Sequence, residues 1–161
     1  MVSALADDAE LADTTWLGAC EAAYPKVYRG LVAMGATPEE AADALQDAFE
    51  RALSVRAPVA SPDGWLFIVA LRRWKRARWR ARLFRPLDVI RGQASAASRD
   101  DRIDLVAELG RLTEQQRTVL IARHALGLSQ KEIGELLGVT PGTVGAIAYQ
   151  ATRKLRERLE R

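Results

Sequence analysis

Seven cations and two tryptophans lie within eleven residues, Arg72-Arg-Trp-Lys-Arg-Ala-Arg-Trp-Arg-Ala-Arg82, with no carboxylate among them. Charge this dense repels itself unless an anion is near, and a phosphate backbone is the natural match. At about 100° per residue on a helix, Trp79 falls among Arg72, Lys75 and Arg76. There its ring either stacks on an unpaired base or covers the domain surface. Trp74 falls nearer Phe67 and Ala81, a position for core packing. The chemistry on offer is recognition of a polyanion. Covalent chemistry has no comparable support: the chain has no Gly-rich phosphate loop and no nucleophile paired with a base. The lone Cys20 and lone His124 can build neither a disulfide nor a metal site. Cys20 is expected as a small buried residue of an amphipathic helix, and His124 as a partly exposed residue near a helix end. No enzymatic activity, metal or cofactor is expected.

A second constellation fills the last third of the chain, Leu128-Ser-Gln-Lys-Glu-Ile-Gly-Glu-Leu-Leu-Gly138-Val-Thr-Pro-Gly-Thr-Val144. Ser129 is an N-cap, and Glu132 three residues later completes a capping box. Ile133, Leu136 and Leu137 share one face, and Gly138 supplies the backbone freedom that ends the short helix. Thr140 caps the next helix, with Pro141 at its first position. Val144, Ile147, Ala148, Ala151 and Leu155 form its apolar stripe, and Gly145, Ala146, Tyr149, Gln150 and Arg153 face out. This is the syntax of a helix-turn-helix, whose second helix enters a major groove. The competing interpretation is a helical hairpin that only packs.

The elements that must hold these residues are helices. Ala, Leu, Arg and Glu dominate and β-branched runs are scarce, so an all-α protein is expected, built as two small helical domains. Helical patterns cover roughly 14–34, 38–54 and 62–84. The second opens at Thr37-Pro38-Glu39-Glu40, where cap, proline and dipole-facing carboxylates agree. Ala41, Ala44, Leu45, Ala48, Phe49 and Ala52 form its buried stripe. Two prolines hold open the loop from Arg56 to Pro62. The chain divides at Arg85-Pro86 into a domain at 1–85, a flexible linker at 86–104 and a second domain at 105–161. The pattern resumes near Leu105, with a further capping box at Thr113-Glu-Gln-Gln116.

Charge is segregated along these segments although the whole chain carries only +3. Residues 1–51 carry a net −7, residues 52–85 a net +8, residues 86–110 a net −2 and residues 111–161 a net +4. An acidic segment beside a strongly basic one suggests two partners, a cationic protein surface and a polyanion. The first residues, with Asp7, Asp8, Glu10 and Asp13 and no early Lys or Arg, are the opposite of a secretory signal. No apolar stretch is long enough to span a membrane, so a cytoplasmic protein without membrane insertion is expected.

These residues resemble a known family. Asp43-Ala-Leu-Gln-Asp-Ala-Phe49 is similar to the Asp-Leu-Val-Gln-Asp/Glu-x-Phe signature of sigma region 2.2. Trp65-Leu-Phe-Ile-Val-Ala70 with its basic tail resembles the Trp-Leu-x-x-Ile-Ala block of regions 2.3 and 2.4. Leu112-Thr-Glu-Gln-Gln-Arg-Thr-Val-Leu120 through Leu155 resembles region 4. Three motifs in order, closely spaced, resemble the extracytoplasmic-function group of sigma-70 family factors of bacterial RNA polymerase. The resemblance covers roughly residues 20–85 and 105–159.

It implies a sigma factor that binds core RNA polymerase and directs promoter recognition and transcription initiation. Asp43, Gln46, Asp47 and Glu50 would dock on the clamp helices of the largest polymerase subunit. The loop from Arg56 to Asp63 would capture a flipped base of the minus-ten element, with Arg72, Arg73, Arg76 and Arg80 on the backbone and Trp79 beside it. Thr143, Ala146, Tyr149, Gln150 and Arg153 would face the minus-35 element. The linker would thread toward the polymerase active centre, and an anti-sigma factor is a further expected partner. Two departures stand out. Arg72 replaces the usual Asn after the Ile-Ala block, and Thr143-Val-Gly-Ala-Ile147 replaces the usual Thr-Val-Lys/Arg-Ser-Arg. The rival from another class is a helix-turn-helix regulator acting on duplex DNA without polymerase. It explains residues 105–159 but neither the region 2.2 signature nor the tryptophan-basic helix.

Overall fold

Seven helices succeed one another along the chain: α1 Val2–Met34, α2 Pro38–Ala52, α3 Pro62–Phe84, α4 Asp101–Gly110, α5 Glu114–His124, α6 Gln130–Leu137 and α7 Pro141–Leu159. The computed structural model describes the backbone of residues 2–55, 61–84 and 101–161, and side chains from residue 15 onward except 56–60 and 85–104. Among the described residues there is no strand, and the all-α expectation holds. Arg56, residues 86–100 of the linker and the side chains of Asp7, Asp8, Glu10 and Asp13 lie outside the described residues.

The caps form as their chemistry requires. The hydroxyls of Thr37, Thr113 and Ser129 each accept from the backbone N–H three residues on, and Glu40, Gln116 and Glu132 each accept the reciprocal bond. Each box satisfies two donors that a helix start leaves orphaned. Gly138 closes α6 at φ 71°, ψ 32°, the left-handed conformation that turns the chain into Val139 and the Thr140 cap.

Three boundaries differ from the sequence expectation. Helix α1 starts at Val2 rather than near residue 14, since the Ala and Leu of that segment favour helix without an apolar stripe to advertise it. Helix α2 ends at Ala52, not 54. Helix α4 starts at Asp101, inside the stretch assigned to the linker.

Packing joins the two halves. One core cluster runs from Ala23, Val27 and Leu31 of α1 through Leu45 of α2 and Leu66 and Phe67 of α3 to Val119 and Ile121 of α5, Ile133 of α6 and Val144 and Ala148 of α7. A smaller cluster of Leu109, Leu112, Leu120 and Ala151 sits beneath α4. Gly64 marks the closest approach of α3 to α6: a Cβ there would lie 2.5 Å from Leu136 Cδ1 and 3.1 Å from Leu128 Cδ1. Cys20 is fully buried and unpaired, and His124 is an exposed residue at the end of α5.

Candidate nucleic-acid interface

Helix α3 is two helices in one. Its first half is buried: Gly64, Leu66, Phe67, Ile68, Ala70 and Leu71, with Trp74 as the last inward residue. Trp74 donates from Nε1 to Glu40 Oε2 at 2.9 Å, so the capping carboxylate of α2 also satisfies the buried indole. Beyond Trp74 every described residue is exposed to Phe84. Arg72, Arg76 and Trp79 fall within about 60° of arc, with Arg73 and Arg80 flanking them. Arg73 is half-buried, the others exposed. Trp79 is 63% exposed, so it does little to cover the domain surface.

Internal neutralisation of this charge is slight. Lys75 pairs with Glu114 of α5, and Arg78 lies over the Trp74 ring at 5.0 Å. Arg72, Arg73, Arg76, Arg80 and Arg82 have no carboxylate partner among the described residues. Arg72 also lines a cleft of about 220 Å³ between the halves, with Lys75, Glu114, Gln115 and Leu137. Asp63, in the first turn of α3, is held by Lys26 of α1 at 3.6 Å. The structure therefore groups Arg72, Arg76, Arg80 and Trp79 on one outer face and sets Asp63 apart at the far end of the helix.

On α2, Asp43, Gln46, Asp47 and Glu50 are all exposed and lie within about 100° of arc. None makes an ion pair or hydrogen bond among the described residues, so the acidic face of this helix is unspent. It lies opposite the stripe Ala41, Ala44, Leu45, Ala48 and Ala52, which is buried. Phe49 is only partly buried and stacks with Tyr24, ring centroids 5.9 Å apart.

In the helix-turn-helix, Val144, Ala148 and Ala151 are buried and Ile147 is half-buried against the core, so its apolar side chain belongs to the packing. Ala146, Gln150 and Tyr149 (69% exposed) point outward. Two of the expected contact residues are already engaged. The Thr143 hydroxyl lies 2.8 Å from that of Thr140, and Arg153 donates from Nε to Glu157 Oε1 at 2.9 Å. Sequence reasoning passed over Gln130, whose amide lies against Gly145, and Arg117, which ties α5 to α1. For Gln130 the available signal was a polar residue beside a cap, facing a helix with a glycine; for Arg117 there was none.

Comparison with known proteins settles which family these surfaces belong to. The family described as Sigma-70, region 4 matches residues 102–155. An RNA polymerase sigma-E factor of Streptomyces antibioticus is 30% identical over 131 residues, 76% of this chain and 72% of that protein. The chain belongs to the extracytoplasmic-function sigma factors of the sigma-70 family. A shorter match, 42% over 48 residues, is to the ECF RNA polymerase sigma factor ShbA of Streptomyces griseus; it covers 30% of this chain and 25% of that protein. Two solved structures share the fold, each at 22% identity. The sigma factor RpoE in complex with the anti-sigma factor NepR from Bartonella quintana matches with a TM-score of 0.66 over 86% of this chain and 92% of that one. CnrH in complex with the cytosolic domain of CnrY matches with a TM-score of 0.64 over 94% and 89%. The role is that of an RNA polymerase sigma factor in transcription initiation, in a family of non-catalytic factors, and the free-standing helix-turn-helix regulator is not favoured. Among the described residues, no helix is long and apolar enough to cross a membrane.

Proposed function

We propose that this sigma factor divides its work among three surfaces. The carboxylates and amide of Asp43, Gln46, Asp47 and Glu50 dock on a basic face of core RNA polymerase. Arg72, Arg73, Arg76 and Arg80 hold the backbone of the minus-ten element while Trp79 stacks on an unpaired base, with Arg56 and Asp63 at the base-capturing loop. The outer face of α7, through Thr143, Ala146, Tyr149, Gln150 and Arg153, meets the minus-35 element. The observation that carries this reading is the unpaired cationic face of α3 with an exposed indole in it. A face that served only solubility would be interleaved with carboxylates; this one awaits phosphates.

The same reading treats residues 1–85 and 105–161 as two working units joined by 86–104, in a cytoplasmic protein. Their shared core is then a resting arrangement, and an anti-sigma factor is a fitting partner because the structurally similar RpoE was captured with the anti-sigma factor NepR. The test is reconstitution: purified core polymerase plus this protein should start transcription at a defined promoter and protect its minus-ten and minus-35 elements. Binding of duplex DNA with no dependence on core, and no specific start, would return the molecule to the rival class.

A further inference from the structure

The recognition helix lacks a side chain at position 145, and the structure fills that gap from another helix. Gln130, the first residue of α6, lays its amide across Gly145: a Cβ built there would lie 3.1 Å from Nε2, 3.3 Å from Oε1 and 3.4 Å from Cδ of Gln130. A Cβ at 145 would require the amide to give by a few tenths of an ångström. The contact is one turn into α7, beside Tyr149 at the next helical turn, on the flank of the face that the reading above turns toward DNA. Gln130 is half-buried, yet neither its amide nitrogen nor its amide oxygen has a hydrogen-bond partner among the described residues. A planar amide placed by packing, with its donor and acceptor both open to water, can exchange that water for a base edge without breaking any bond within the protein.

We propose that Gln130 is a specificity-determining residue of this sigma factor, reading a base of the upstream promoter element over the notch left by Gly145. The inference rests on α7 being the helix that faces that element. In a helix-turn-helix the first turns of the recognition helix reach base edges while the preceding helix crosses the backbone. The start of α6 is where those two meet. A glutamine presents the donor–acceptor pair that matches N6 and N7 of adenine in the major groove. Thr143, held to Thr140, and Arg153, held to Glu157, do not duplicate it, and Gln150, the other amide of the helix-turn-helix, stands on α7 itself, where it would meet a different base pair. The missing side chain of the recognition helix is thus functionally replaced: Gly145 is the seat and Gln130 the reader.

The experiment is transcription by core polymerase plus the full-length protein from a promoter library randomised across the upstream element. Gln130→Ala should lose about 10-fold of discrimination for A·T over other pairs at a single position, leaving other positions unchanged. Gln130→Glu, which removes the donor but keeps the shape, should move the preference at that same position toward C, whose exocyclic amine donates. Gly145→Ala should weaken the preference at the same position by shifting the amide, with the helix gain of alanine over glycine offsetting the tight contact so that the melting temperature is retained. A retained melting temperature separates the effect from misfolding, and the variant carrying both Gln130→Ala and Gly145→Ala should lose no more than either single one. A wild-type library with a clear upstream preference that Gln130→Ala and Gln130→Glu leave untouched overturns the role of Gln130 alone. A wild-type library with no upstream preference overturns the base-reading role of α7 and the proposal with it.

Discussion

Arg117 donates from Nη1 to the backbone carbonyl of Met34 at 2.7 Å, so the last residue of α1 is capped by a side chain of α5, 83 residues further on. Carbonyls at a helix C-terminus lack intrahelical partners and carry the negative end of the dipole, and a guanidinium suits both. Its Nη2 reaches Leu112 O at 3.4 Å, and burial holds its pKa below the usual arginine value, with Glu114 opposing the shift. Thr118, one residue on, sets its hydroxyl 3.9 Å from Met34 Sδ. The two halves are therefore joined by a polar latch on top of their shared apolar core.

Removing that latch should loosen the closed arrangement. Arg117→Ala deletes charge-assisted bonds to two carbonyls and should cost about 1.5–3 kcal/mol. The melting temperature should fall, and the distance between fluorophores placed on α2 and α7 should lengthen or broaden. An unchanged distance distribution at unchanged stability means that the apolar core alone holds the halves together.

Docking on polymerase can be tested on α2 with little risk to the fold, because Asp47 is exposed and opposite the buried stripe. Asp47→Lys should weaken binding to core by about 2 kcal/mol if its carboxylate meets a cation across the interface. The melting temperature should barely move, as is usual for surface substitutions. A titration against fluorescent core gives the answer, and equal affinity for both proteins removes α2 from the interface.

Two tryptophans five residues apart should behave oppositely. Trp74 is buried and hydrogen-bonded to Glu40, so Trp74→Ala should destabilise the fold by about 3–5 kcal/mol. Trp79 is exposed, so Trp79→Ala should leave the melting temperature alone. It should instead reduce promoter opening by about 1–3 kcal/mol, the worth of one base stacked on an aromatic ring. Permanganate reactivity of the bubble reads this directly. An unchanged bubble makes Trp79 a bystander on the basic face.

Local structure was legible in the residues wherever its cause was local. The boxes at Thr37, Thr113 and Ser129, the stop at Gly138, and the inward Trp74 against the outward Trp79 all follow from spacing and capping chemistry, and each appears in the structure. The caps do not depend on distant packing. What escaped the sequence depends on which helix lies against which: Lys26 on Asp63, Lys75 on Glu114, Arg117 on Met34 and Gln130 on Gly145. A single sequence carries no trace of the first three pairs, and for Gln130 only the hint of a polar residue beside a cap and a glycine in the following helix. The start of α4 misled for a different reason, since a polar stretch after a Ser- and Ala-rich segment reads as a loop although the backbone is helical from Asp101.

Cys20 offers a pH-dependent check on α1. Burial, with Asp63 adding to it, pushes its thiol from 9.0 up to about 11. A raised thiol pKa means that the folded state holds its proton longer than the unfolded chain does. Its contribution to stability is complete below pH 9 and is lost as pH rises toward about 11. Below that window the folded protein should resist thiol reagents, which need the thiolate and access. Labelling at pH 8 should follow the unfolding rate; labelling as fast as a free thiol would place Cys20 at the surface.

The ion pair between Arg153 and Glu157 sets the last expectation. The carboxylate accepts the guanidinium one helical turn away, raising the arginine's pKa and lowering that of the glutamate, and both are solvent-exposed. A cation already paired is a weaker phosphate ligand, and its carboxylate adds repulsion toward DNA. Glu157→Gln should therefore strengthen binding to upstream DNA evenly across sequences and steepen its salt dependence. Arg153→Ala should weaken it just as evenly and lower the salt slope by about one. Gln150→Ala differs in kind, relaxing preference at about one base pair at a cost of about 1–3 kcal/mol. Affinity measured against salt for all three variants on matched and scrambled elements separates the cases. If Glu157→Gln binds no better than the parent, Arg153 does not meet phosphate, and the pair serves only to bind one turn of α7 to the next.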